Sequence, residues 1–191
     1  MDVGGGHGQV TGPLVEAGYD VTVVGSDPGC EARVRDWTTT GRARFASGDL
    51  LRVPFPDRSF HIALAYRLLP HVRRWPDLLK ELARLARVAV VVDYPTTRSA
   101  NAIAGWLFDL KKGVEGDTRP FTVFRDKDIQ GEFTLSGFKP TGRRGQFLLP
   151  MALYRAGRSA GIARALEGAA GALGLRQAFG SPVILRLERH G

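Results

Sequence analysis

A single cysteine, Cys30, stands among 191 residues. Neither an internal disulfide nor a zinc site built on several thiolates is open to such a chain, and the pattern suits a reducing cytoplasm. Apolar stretches are short. None approaches the ~20 residues of a membrane-crossing helix, and no charged-then-apolar leader precedes the first motif. Lysine is scarce as well: it supplies five of the 27 basic side chains, at positions 80, 111, 112, 127 and 139. Adjacent basic pairs occur only at Arg73-Arg74, Lys111-Lys112 and Arg143-Arg144. The net charge of +8 therefore comes without a basic run or interleaved aromatics, which argues for a solvated basic surface rather than a nucleic-acid groove. With 43% hydrophobic and 24% charged residues, the composition is that of a globular domain able to bury its own core.

What is present alternates between strand-like and helix-like segments, the pattern of a parallel sheet with crossover helices. Asp20–Gly25 is a run of β-branched residues, Arg42–Ala46 a weaker strand, and Phe60–Tyr66 and Val88–Tyr94 read as buried central strands. Between the last two, Leu78, Leu82 and Leu85 recur at helical spacing, as do Leu79, Ala83 and Ala86. Lys80, Glu81, Arg84 and Arg87 take the other face, which predicts an amphipathic helix over Pro76–Arg87. Further on, helices are expected at Ser99–Lys112, Asp126–Leu135 and Gly161–Leu175, a strand beginning at Phe138, and a closing strand over Pro182–Glu188. No repeat or linker divides the chain, so residues 1–191 read as one domain, with a ligand-binding half at 1–95 and a lid and closing elements at 96–191.

The chemistry concentrates near the start. Asp2-Val3-Gly4-Gly5-Gly6-His7-Gly8 precedes a helix expected to begin near Val10 or Thr11. Glycines there let the backbone turn sharply and let a ligand lie against bare peptide groups at a helix N-terminus. Their register matters. A dinucleotide fingerprint, G-x-G-x-x-G, fails from Gly4, where Gln9 takes the last place, and from Gly6, where Thr11 does. The spacing that fits is acidic-x-G-x-G-x-G, on Asp2, Gly4, Gly6 and Gly8. Asp27 follows the second strand, nineteen positions past Gly8, where a carboxylate can accept both hydroxyls of a ribose. Asp49, in Gly48-Asp49-Leu50, follows the third and is placed to accept an adenine amino group. The fourth strand is preceded by Val53-Pro54-Phe55-Pro56-Asp57-Arg58-Ser59-Phe60 and runs out into Tyr66-Arg67-Leu68-Leu69-Pro70-His71-Val72.

That order of motifs, through residues 2–95, resembles the class I S-adenosylmethionine-dependent methyltransferases of the UbiE, or type 11, kind. Ser136-Gly137-Phe138 and Gly180-Ser181-Pro182-Val183-Ile184 resemble the family's closing segments. The resemblance implies an α/β, Rossmann-like, doubly wound sheet of seven strands, mostly parallel with an antiparallel last strand. It implies S-adenosyl-L-methionine as cofactor, with Asp2 and the glycines (Gly4, Gly5, Gly6, Gly8) by the methionine moiety, Asp27 at the ribose, and Asp49-Leu50 at the adenine. His7 in the glycine turn, and Tyr66 and Arg67 at the end of the fourth strand, join the expected cofactor contacts. The chain departs from the family at His61, where an aspartate is usual, and in lacking a K-P-G-G turn before the fifth strand. It also opens on the motif itself, so the family's preceding helices are expected to be missing.

Methyl transfer asks little of the protein beyond alignment, because the methyl group is already activated on a sulfonium. A general base is needed only for an acceptor that is protonated at neutral pH. His71 is the candidate, although a structural histidine opening the next helix is the simpler reading. His61 and His190 are assigned no role, and no metal site is expected. The acceptor is expected to be a small, partly apolar molecule under a lid formed by residues 99–124, whose Trp106, Leu107 and Phe108 are more apolar than a solvated helix needs. Base-modifying relatives usually carry [DN]-P-P-[YF] after strand four, and Tyr66-Arg67-Leu68-Leu69-Pro70 does not match. The alternatives are an NAD(P)-dependent oxidoreductase, against which the glycine register argues, and a methyltransferase-like protein that binds cofactor or a partner without catalysis.

Overall fold

Apolar, largely β-branched runs too short for helices become the central strands of a single sheet. The computed structural model describes residues 1–99, 121–147, 168 and 174–190. In chain order its strands are β1 (Asp2–Val3), β2 (Val21–Gly25), β3 (Ala43–Ser47), β4 (Phe60–Ala65), β5 (Ala86–Tyr94), β6 (Phe138–Phe147) and β7 (Ser181–Arg189). They lie in the order β3-β2-β1-β4-β5-β7-β6. The pairs from β3 through β5 are parallel, whereas β7 runs antiparallel to both β5 and β6. This is the doubly wound, mostly parallel sheet that the motif order implies. The chain first builds outward through β2 and β3 and then returns to place β4 on the other side of β1. The carboxyl ends of β1 and β4 thus flank the point where winding reverses, the place where open parallel sheets bind ligands.

Helices α1 (Thr11–Glu16), α2 (Arg35–Thr38), α3 (Trp75–Leu85), α4 (Asp126–Leu135) and α5 (Leu175–Phe179) complete the described elements, with 3-10 turns at Pro28–Arg33 and Leu69–His71. Helix α3 buries Leu78, Leu79, Leu82, Ala83 and Leu85 against one face of the sheet, where Ala63, Ala65, Val90, Val92, Val183, Leu185 and Leu187 point inward. Helix α4 adds Ile129 and Phe133 to the same core. On the opposite face, Ile62, Leu64, Val91 and Ile184 line a cavity of about 880 Å³ with Val10, Pro13 and Leu14.

Three expectations change. Helix α3 stops at Leu85 rather than Arg87, and β5 begins at Ala86 with no connecting residue, because Ala86 already pairs with Phe60 of β4. Glu81 is not on the solvated face: it is 7% exposed, accepts the Val53 backbone N–H at 2.7 Å and binds Arg84 at 2.7 Å. A carboxylate holding both a backbone donor and a guanidinium tolerates burial that a lone one would not. Helix α1 is only six residues long, so a helix-terminal field contributes little at the glycine motif. The expected helices over Ser99–Lys112 and Gly161–Leu175, with the apolar residues 106–108, lie outside the described residues, apart from Ser99, Gly168, Gly174 and Leu175.

Candidate functional site

Strand β1 is two residues long, and its end is a sharp turn. Gly4 donates to the Val24 carbonyl at 2.8 Å, closing the last rung with β2, and then adopts φ +78°, a left-handed conformation that side chains disfavour. Gly8 donates back to the Gly5 carbonyl at 2.8 Å, so residues 5–8 curl into a tight loop of exposed peptide groups. Gly5 has no room for a side chain, since a Cβ there would run into the buried Asp2 carboxylate. The loop borders a cavity of about 380 Å³, within the range of small-molecule sites.

Asp2 lies on the floor of that cavity. It is 1% exposed, and neither carboxylate oxygen has a hydrogen-bond partner among the described residues. Burial pushes its pKa up to about 6, with the nearby Met1 ammonium pulling in the other direction. That ammonium donates to the Ile62 carbonyl at 2.8 Å, and burial lowers its own pKa to about 6. An unpaired carboxylate held out of water beside a ligand-sized cavity calls for a cation or a strong donor.

The opposite wall comes from the segment that follows β4. Tyr66 and Arg67 follow β4; Arg67 adopts φ +56°, and its backbone N–H donates to Asp93 Oδ1 of β5 at 2.5 Å. The Tyr66 hydroxyl accepts from Gln146 Nε2 of β6 at 3.2 Å. Leu68 packs where a side chain on Gly4 would go, its Cδ2 lying 2.7 Å from the position of such a Cβ. His71 ends the 3-10 turn, exposed, with its ring 5.8 Å from that of Phe121.

Of the residues singled out in the sequence, Asp2, Gly4, Gly5, Gly6, His7, Leu50, Tyr66, Arg67 and His71 share this one cavity. Gly8, Asp27 and Asp49 do not line it, although each adjoins a residue that does (His7, Ser26 and Leu50). Both aspartates are exposed and stabilise their own turns: Asp27 Oδ1 accepts from the Gly29 N–H at 2.7 Å, and Asp49 Oδ1 from the Leu51 N–H at 2.9 Å. His7 accepts from Arg33 Nη1 through Nδ1 at 2.6 Å, which leaves the proton of a neutral ring on Nε2. Gln9, Val10, Gly25, Ser26, Cys30 and Leu68 also line the cavity. Sequence reading passed over them because nothing in their type or spacing marks them out before the sheet brings them together. Among the described residues no cluster of His, Cys, Asp or Glu could hold a metal ion, and no described helix is long and apolar enough to cross a membrane.

Known proteins agree with this architecture. Residues 1–89 match the family model described as methyltransferase domain, and no curated protein matches the chain at a significant level. Among solved structures, the chain resembles magnesium protoporphyrin IX methyltransferase of Synechocystis PCC 6803 with bound SAH at TM-score 0.68 and 15% identity, over 99% of this chain and 73% of that one. It resembles a putative methyltransferase of Bacillus halodurans C-125 at 0.67 and 14%, over 100% and 91%. A third likeness is the putative methyltransferase of Haloferax volcanii in complex with the Trm112 methyltransferase activator, at 0.67 and 17%, over 100% and 81%. At such identities structural likeness speaks for the fold. Residues 1–89 thus match a methyltransferase domain, and the sheet they enter has the class I, S-adenosylmethionine-dependent methyltransferase fold.

Proposed function

We propose that the chain transfers a methyl group from S-adenosylmethionine to a small-molecule acceptor. The observation that carries this reading is Asp2, a buried carboxylate with no hydrogen-bond partner among the described residues, which lines a cavity beside the glycine turn. The cofactor's amino-acid end supplies a cationic ammonium suited to that carboxylate. A dinucleotide pyrophosphate in the same place would set negative charge against it, which disfavours NAD(P). Asp2 and Gly4–Gly6 hold the methionine end in this reading. Asp27, beside the lining Ser26, takes the ribose, and Asp49 with Leu50 takes the adenine. Tyr66 and Arg67 close the side facing the acceptor.

When bound, the cofactor supplies a methyl group on a positively charged sulfur, and the bonding pair returns to that sulfur as the acceptor's lone pair takes the carbon. The protein's part is alignment and exclusion of water. His71, exposed at the cavity's edge and beside Phe121, is placed to take a proton from an acceptor that needs to lose one. The ring of Phe121 offers an apolar surface there, in keeping with a partly apolar acceptor.

Calorimetric titration with S-adenosylhomocysteine, the demethylated product, tests the reading. Saturable binding is expected for the wild type, with NAD giving no heat. Gly6→Val should abolish binding while circular dichroism still reports the folded sheet. NAD binding without a response to the adenosyl ligand would overturn the proposal.

A further inference from the structure

Within the apolar run Val88–Val92 and on to Tyr94, Asp93 is the one charged residue of that strand segment, and it is 3% exposed. Val92 and Tyr94 face the α3 core, whereas Val91 lines the cavity on the other face, so alternation turns Asp93 toward that second face. A carboxylate there needs a reason, because burial raises its pKa and disfavours its charge. Its described partner is the backbone N–H of Arg67, at 2.5 Å on Oδ1. Arg67 is one of two non-glycine residues with positive φ among those described. A left-handed turn is strained for a side-chain-bearing residue and persists only where something holds it.

We propose that Asp93 is a positioning residue of the cofactor pocket: from within β5 it holds the Arg67 N–H and so fixes the turn that sets Tyr66, Arg67 and Leu68 against the glycine loop. Three contacts transmit the hold. Tyr66 and Arg67 line the cavity, Arg67 Nη1 reaches Gln9 Oε1 at 3.4 Å, and Leu68 fills the space left by the absent side chain of Gly4. Asp93 itself does not line the cavity, so it acts through the turn. The wall opposite Asp2 is thereby set from the neighbouring strand rather than by the three residues alone that link β4 to the turn at Leu69–His71.

The inference rests on the cofactor reading above, and its test separates the two. S-Adenosylhomocysteine affinity is measured for the wild type, Asp93→Asn, Asp93→Ala, Arg67→Gly and the double variant Asp93→Ala/Arg67→Gly, with hydrogen exchange of the Arg67 amide followed in parallel. Asp93→Ala is expected to weaken binding about tenfold or more, the scale of one lost hydrogen bond to a charge. Asp93→Asn, which keeps an acceptor oxygen, should restore most of it. In the Arg67→Gly background, where the left-handed turn no longer strains the backbone, Asp93→Ala should change affinity by less than about twofold, a non-additivity that a merely structural aspartate would not produce. Should Asp93→Ala fail to fold, Asp93→Thr takes its place. Unchanged affinity in Asp93→Ala, or an equal loss in both backgrounds, overturns the inference. If the wild type binds no adenosyl ligand, the cofactor reading fails alone, and the hold on the turn is judged by Arg67 exchange. Faster exchange in Asp93→Ala supports it, and unchanged exchange overturns it.

Discussion

Asp2 carries two consequences in one side chain. With its pKa pushed up to about 6 from an ordinary value near 3.8, the folded protein favours the protonated acid. Its contribution to the stability of the ligand-free protein is therefore fully present below about pH 4 and is lost as pH rises through 6, roughly 3 kcal/mol at most. A cationic ligand group needs the ionised form, so binding runs the other way. The affinity for S-adenosylhomocysteine should climb about tenfold between pH 5 and pH 7.5 and then level off. Asp2→Asn should flatten that profile and raise the ligand-free melting temperature at pH 7.5, as followed by calorimetry at both pH values. The difference between wild type and variant, rather than the wild-type curve alone, isolates Asp2. A pH-independent affinity in the wild type would show that its carboxylate does not meet the ligand's charge.

At the scale of elements, α3 shows how an amphipathic pattern is modified by one buried acid. Glu81 joins the helix to the segment before β4 by accepting from Val53 N–H, while Arg84, one turn on, donates to Glu81, Asp57 and the carbonyls of Phe55 and Val53. The Pro54–Phe60 approach to β4 is thereby fastened to the helix that follows β4. Removing the acid leaves the Val53 N–H and part of the Arg84 guanidinium unpaired. Glu81→Ala should accordingly lose about 1–3 kcal/mol of stability in urea unfolding. It should spare cofactor affinity, because the group lies across the sheet from the glycine turn. Leu82→Ala, in the same helix, should cost more, about 2–5 kcal/mol, through the cavity it opens. A loss of ligand binding in Glu81→Ala, with stability unchanged, would contradict this division of labour.

For the whole molecule, the test of function is linkage. A ligand that binds only the folded state at a hundred times its dissociation constant adds about 2.7 kcal/mol, which for a domain of this size shifts the melting temperature by roughly 5–10 °C. S-Adenosylhomocysteine should produce that shift in a thermal scan, and NAD at equal concentration none. The sequence by itself determined the class of fold and pointed to the glycine turn as the candidate site. β-Branched runs with helical spacing between them permit few arrangements, and the register of Gly4, Gly6 and Gly8 depends only on local backbone sterics. Period and turn chemistry are local properties, so they are legible without contacts. Tertiary structure decided which acids do what. Asp2, Asp27, Asp49, Glu81 and Asp93 look alike on paper, yet one is buried beside a cavity with no hydrogen-bond partner among the described residues, two cap their own turns at the surface, and two are buried as acceptors for backbone amides of distant segments. That sorting depends on burial and on partners 26 or 28 residues away along the chain. A carboxylate's role is set by what desolvates it and what donates to it, and neither exists until the sheet has closed.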